Sequence, residues 1–243
     1  MPFTFSHPAA ILPLTLIKKK WISVTALVIG SITPDFEYFF RMQQDSYYSH
    51  TWGGIFWFDL PLALLLVYLF DYLIKKELIE NLPQFLNLRF SQFRSAQRNL
   101  NKIEDFIIVL ISLLIGILSH IIWDKVTHKS VSLIDQQEHY TVFWEANSVA
   151  GAVLIAAAVW KMRRGVNTQK NNIYVYWLLI SIITLGVIYI RYLSTSGIRE
   201  LGISAIVGFF TGLIITSVIR KLRNASMAAV LPKQRMADKK IIN

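Results

Sequence analysis

Hydrophobic residues fall along this chain in long unbroken blocks. They do not alternate as in a half-buried strand, and they do not form the one-sided stripe of a soluble helix. Residues 53–74, 106–123, 148–160, 173–193 and 201–219 are the blocks. About 20 apolar residues cross a bilayer as a helix, so these five predict membrane spans. The shortest carries Ala156-Ala157-Ala158, which suits close helix packing. Two shorter apolar segments, 9–17 and 21–32, come first. Pro8 suits a first helical turn with Ser6 as its cap, and Pro13 kinks the first of these segments. Lys18, Lys19 and Lys20 stop that segment, and Thr33-Pro34 ends the second. Neither is long enough to span, so they predict a hairpin of short helices packed inside the protein.

The polar intervals complete the plan. Residues 75–105, with Arg89, Arg94, Arg98 and Lys102, read as an extramembrane helical loop. Residues 125–145 are polar and aromatic, and 220–243 form a basic tail. The expected fold is therefore all-α: a polytopic helical membrane protein of about five full spans plus a short N-terminal helical hairpin. Residues 1–219 make one integral membrane domain with its cytoplasmic loop at about 75–105, and 220–243 a basic cytoplasmic tail. No internal repeat is evident.

Composition agrees. The 243 residues are 54% hydrophobic and 16% charged, and mean hydropathy is +0.45. A soluble domain has less apolar and more charged content. The net charge of +10 would suggest nucleic acid in a soluble protein. Here the Lys and Arg flank apolar spans, so they mark topology and contact with membrane lipids, and no nucleic-acid partner is expected. The absence of cysteine excludes disulfides, thiolate catalysis and Cys-type zinc sites. Residues 1–6 lack a basic start and no small-residue cleavage site comes after them, so no cleavable signal peptide is expected.

Charge also sets orientation. Lys75-Lys76 follow the first span, Lys161, Arg163 and Arg164 the third, and Arg220, Lys221 and Arg223 the fifth. All are expected on the cytoplasmic side. The 106–123 span then runs outward, which carries its C-terminal end to the outer face. The first hairpin and the segment before residue 53 return to that same face.

Chemistry collects there. His120, Asp124 and His128 close the 106–123 run as His-x-x-x-Asp-x-x-x-His. Residues four apart on a helix point the same way, about 6 Å apart along the axis. An i, i+4 His/Asp pair chelates well, whereas i and i+8 lie about 12 Å apart. Either two of the three bind one ion with the third behind them, or two metals are present. His7, Asp35 and His50 add groups of the same kind on the same face. Taken singly, each has a blander reading, as a helix cap or a hydrated interfacial side chain. Ionisable groups at membrane depth are costly and mark functional sites, and imidazoles mixed with carboxylates suit zinc first, with manganese or iron as alternatives.

The same residues carry a resemblance. Residues 1–10 (MPFTFSHPAA), residues 30–38 (GSITPDFEY), Ser49-His50-Thr51, Phe58-Asp59-Leu60-Pro61 and the His120/Asp124/His128 motif resemble the bacterial membrane family called domain of unknown function 4184. That family is similar to inner-membrane metal-dependent hydrolases. The resemblance implies metal-site roles for His7, Asp35, His50, His120, Asp124 and His128, and a bacterial inner (cytoplasmic) membrane location. Glu37 stands where relatives often carry a second Asp, and Glu145 lies where a Gln- or His-bearing segment is expected.

Three functions are weighed. The first is a metal-dependent hydrolase of a phospho- or acyl-ester, with a lipid-like substrate and Glu37 or Glu145 as general base. The second is a non-enzymatic scaffold or partner-binding protein with a structural polar or metal cluster. The third is a transporter, disfavoured because the polar residues gather near one face and not at the midplane.

Overall fold

The computed structural model describes the backbone of residues 3–17, 20–43, 45–132, 137–170, 172–194 and 198–241. It describes their side chains except at 16, 128–132, 137–141, 198–199, 225 and 227–241. Thr4–Ser6 is a 3-10 turn, Pro8–Ile11 is α1, and Leu12–Leu16 continues as 3-10 helix. Pro13 donates no backbone hydrogen bond, and the α-helical ladder ends beside it. Val24–Ile32 is α2, with the Ser23 hydroxyl accepting the Ala26 N–H at its start. A second 3-10 turn, Thr33–Asp35, leads into α3, Phe36–Arg41, which Met42 ends in the left-handed region at φ 51.

Four long helices, one composite helix and one short helix make up most of the rest. The composite helix, α4, is Trp52–Asn81; the Thr51 hydroxyl accepts the Gly54 N–H at its start. Two π turns interrupt it, Ile55–Asp59 and Phe70–Ile74, and each carries a buried aspartate, Asp59 and Asp71. After the short α5, Gln84–Phe90, come α6, Ile103–Ser132, α7, Gln137–Lys161, α8, Tyr174–Tyr192, and α9, Ile198–Ile241. Trp52–Asn81, Ile103–Thr127, Val142–Lys161, Tyr174–Tyr192 and Glu200–Asn224 are each long and apolar enough to cross a membrane. The chain is an all-α, multi-pass membrane protein, and no strand occurs among the described residues.

The short hairpin packs inside, as its length requires. Its second arm, α2, lies along α6 and touches α4. Ala26, Ile29, Ile55, Ala63, Val67, Val109, Leu113, Ile117 and Ile121 bury their side chains in that seam. The other large cluster joins α8 and α9 to the far end of α4 through Ile74, Tyr176, Ile180 and Leu213. The apolar spans thus form the frame, and the hairpin brings the N-terminal polar residues into it.

Three boundaries differ from the sequence reading. The third span starts at Val142 within a helix that begins at Gln137, because polar residues such as Asn147 satisfy themselves on the backbone of the preceding turn. The expected separate tail instead continues α9 as far as Ile241. The expected extramembrane helical loop has a buried polar interior: Lys75, Glu77, Glu80, Asn81, Asn87 and Arg89 are all buried. Lys75 pairs with Asp71 at 2.5 Å, Lys170 with Glu77 at 2.7 Å and Glu80 at 3.0 Å, and Arg94 with Glu80. Asn87 accepts the Thr168 N–H, and Gly165 N–H donates to the Leu88 carbonyl. The α7–α8 linker is strapped to this end of α4 by charge-assisted bonds.

Candidate metal centre

Four separate stretches of chain deliver five ionisable side chains to one place near the other end of α4 and α6. His7 follows the first 3-10 turn, which α7 pins: the Phe3 N–H donates to Ser148 Oγ and the Ser6 hydroxyl to the Ser148 carbonyl, both at 2.8 Å. Asp35 closes the Pro34 turn, His50 immediately precedes α4, and His120 and Asp124 stand one turn apart on α6. His7, Asp35, His120 and Asp124 are buried. The His50 side chain keeps 16% exposure and is the member reachable from outside.

The geometry is that of a cage. His50 Nε2 lies 3.3 Å from Asp124 Oδ2 and 3.7 Å from Asp35 Oδ1; His120 Nε2 lies 3.4 Å from Asp35 Oδ1 and 3.5 Å from Asp124 Oδ2. All four atoms are buried and have no hydrogen-bond partner, which is costly at this depth. Their orientation is imposed from behind. His120 Nδ1 lies 2.8 Å from the Ser31 carbonyl. A carbonyl only accepts, so Nδ1 carries hydrogen and the neutral ring presents the Nε2 lone pair to two carboxylates. His50 Nδ1 is likewise held by Ser49 Oγ at 2.9 Å. The His120 lone pair facing carboxylates requires a positive charge between them: an additional proton on a ring, or a metal ion. Backbone or hydroxyl bonds to the outer nitrogen are the usual support of metal-binding histidines.

The spacing suits a small ion. Two ligands about 2.0–2.1 Å from a tetrahedral centre stand about 3.3–3.4 Å apart, close to the four His-to-Asp separations of 3.3–3.7 Å here, and ligand atoms of His50, His120 and Asp124 all lie within 4.8 Å of one another. His7 sits beside the cage. Its ring stacks on His120 with centroids 3.8 Å apart, and its Nε2 lies 3.1 Å from Asp124 Oδ1.

Other expected members are placed differently. Both oxygens of Glu37 are committed to the loop that precedes α4: they accept the N–H groups of Tyr47 at 2.8 Å, Tyr48 at 3.1 Å and Ser49 at 3.0 Å. Burial disfavours the charge on Glu37, but these three donors outweigh it and hold its carboxyl below the usual carboxylate range. Glu37 therefore fixes the loop carrying His50. Glu145 is exposed on α7, and no hydrogen bond or ion pair joins it to the cage among the described residues. His128 lies on α6, one turn beyond Asp124, but its side chain is outside the described residues.

Sequence reasoning misses Asp59 as a site residue. It has 0% exposure, and neither carboxylate oxygen has a hydrogen-bond partner. The π turn that carries it packs against α6, the helix of His120 and Asp124. The chain does carry a signal for it: a carboxylate inside an apolar span, two residues before Pro61. A π turn holds it, as often happens at functional sites.

Fold and site together define a class: a multi-pass helical membrane protein whose N-terminal hairpin and two of whose spans enclose a buried His/Asp cage. Within that class the chain belongs to a particular family. The family model described as a domain of unknown function (DUF4184) matches residues 1–222. No curated protein and no solved structure matches the chain.

Proposed function

We propose that this protein is a membrane-bound metal-dependent hydrolase that cleaves a phospho- or acyl-ester of a lipid-like molecule. The observation that carries the reading is the cage: four buried, unpartnered atoms, with each imidazole nitrogen of His50 and His120 lying 3.3–3.7 Å from the facing oxygens of Asp35 and Asp124. Zinc is the first choice of ion, with manganese or iron as alternatives. When bound, the ion supplies Lewis-acid polarisation and water activation. The chain's own residues have distinct tasks. Ser31 and Ser49 orient two imidazoles, Glu37 holds the His50 loop, and the surrounding spans exclude bulk water from all but the His50 side. The charge distribution supports an orientation with the cage toward the outer face and membrane lipids around the spans, and the family resemblance supports the cytoplasmic membrane of a bacterium.

A second reading has its own observation. Four protein ligands complete a tetrahedral ion's shell, which is typical of closed, structural zinc sites. The protein would then be a scaffold with a metal knot. Two measurements decide. Metal analysis of the purified protein is expected to find a divalent ion that His120→Ala loses. Metal-dependent hydrolysis of a panel of phospho- and acyl-ester lipids is expected for the wild type. No hydrolysis, together with a large fall in melting temperature on chelation, selects the knot. No metal in the wild type rejects both.

A further inference from the structure

The cage leaves two features unused, and both concern charge. The first is His7. Its Nδ1 lies 3.2 Å from the Thr4 carbonyl, which only accepts, so this nitrogen carries hydrogen. Its Nε2 pairs with Asp124 Oδ1 at 3.1 Å, a contact that a proton on this nitrogen satisfies and that a cation between the two atoms can replace. Asp124 thus turns Oδ2 toward His50 and His120, and Oδ1 toward His7. His7, Asp35 and His120 also offer ligand atoms that all lie within 4.8 Å of one another. The second feature is Asp59. One divalent ion in the cage balances Asp35 and Asp124. Glu37 is compensated by its three N–H donors. Asp59 is wholly buried in the first π turn of α4 and its carboxyl oxygens have no hydrogen-bond partner, a state that is strongly unfavourable for an isolated charge.

We propose that the centre takes two divalent cations, with Asp124 bridging them. One sits in the cage, and the second sits on the His7 side, held by His7 Nε2 and Asp124 Oδ1 with Asp35 adjacent. The stack of the His7 ring on His120 and the anchoring of the Thr4–Ser6 turn to Ser148 hold His7 in place for this task. The proposal rests on the metal reading of the cage, and the experiment separates the two.

The full-length protein, purified in detergent and stripped by chelator, is titrated with Mn2+. Metal is counted per chain, and the ions are examined by electron paramagnetic resonance. The expected result is two Mn2+ per chain with an exchange-coupled spectrum. His7→Gln is expected to bind one, with the six-line signal of an isolated ion. One Mn2+ per chain with an isolated-ion signal in the wild type overturns the second site and leaves the cage standing. Two coupled ions in His7→Gln overturn the role of His7. No bound Mn2+, zinc or iron in the wild type overturns this inference and the cage alike. The wild-type count and spectrum remain decisive if His7→Gln fails to fold.

Discussion

Gly30 and Gly116 meet backbone to backbone where α2 crosses α6. A Cβ on Gly30 would lie 2.5 Å from the Leu113 carbonyl oxygen, and one on Gly116 would lie 2.5 Å from that of Leu27 and 2.8 Å from the Ser31 nitrogen. This contact brings the Ser31 carbonyl within 2.8 Å of His120 Nδ1. Small residues at such crossings let helices approach in a membrane.

Gly116→Ala is therefore expected to destabilise the protein by about 1–3 kcal/mol through overpacking, and to weaken metal binding by displacing Ser31 from His120. Gly186, where a Cβ meets nothing within 4 Å, is the control: Gly186→Ala should change neither. Thermal melts in detergent, run beside metal titrations, check both effects. A normal metal affinity in a destabilised Gly116→Ala would separate the crossing from the site.

Glu37 predicts a loss transmitted through the backbone. Glu37→Gln removes the charge that three N–H groups of the His50 loop share. The expected cost is about 2 kcal/mol, with metal affinity lowered about 10–100-fold, as for other groups that support ligands. If instead Glu37→Gln abolishes hydrolysis while metal affinity and stability stay at wild-type levels, Glu37 acts as a base and not as a clamp.

The same residue sets an acid dependence. The carboxyl of Glu37 is held below its ordinary value of 4.5, so the unfolded chain takes up its proton first on acidification. Its stabilising contribution is complete above about pH 4.5 and is lost as pH falls through the lower folded value. The gap in melting temperature between wild type and Glu37→Gln should be constant from about pH 7 to 5 and narrow below that. A gap that widens in acid would contradict this sign.

Asp59 gives opposite signs in two states. In chelator-treated protein, Asp59→Asn removes a buried unpartnered carboxylate, and stability should rise by about 1–3 kcal/mol. In metal-loaded protein the same change should reduce the stabilisation that added metal provides. The comparison is the shift in melting temperature on metal addition, which should be smaller in Asp59→Asn than in the wild type.

Orientation is testable in a chain with no cysteine of its own. Tyr47 and Lys102 are exposed and lie before α4 and α6 respectively. In intact cells, Tyr47→Cys is expected to react with a membrane-impermeant thiol reagent, and Lys102→Cys only after lysis. The reverse pattern would place the cage on the cytoplasmic side.

The frame of the molecule is legible along the chain. Block lengths against bilayer thickness identify the five spans and the short inserted hairpin, because in lipid every backbone group must be satisfied within a helix. Residue type and position also pick out His7, Asp35, His50, His120 and Asp124, since ionisable groups near span ends are too costly to be incidental. Which atoms face one another depends on the folded contacts. His120 and Asp35 are 85 positions apart, and His50 and Asp124 are 74 apart; no helical period relates them, and their separations depend on the Gly30–Gly116 crossing. Those contacts also tie both oxygens of Glu37 to the His50 loop and bury Asp59 without a hydrogen-bond partner. A carboxylate's role depends on which donors reach it, and the N–H groups that reach Glu37 come from a loop ten to twelve residues away. Likewise, the polar stretch at the end of α4 reads as an extramembrane loop by composition, yet is buried because Lys170 and Thr168, from a distant linker, supply its partners. Hydrophobicity belongs to each residue and can be read position by position; the pairing of polar groups belongs to contacts between distant positions, which exist only once the chain has folded.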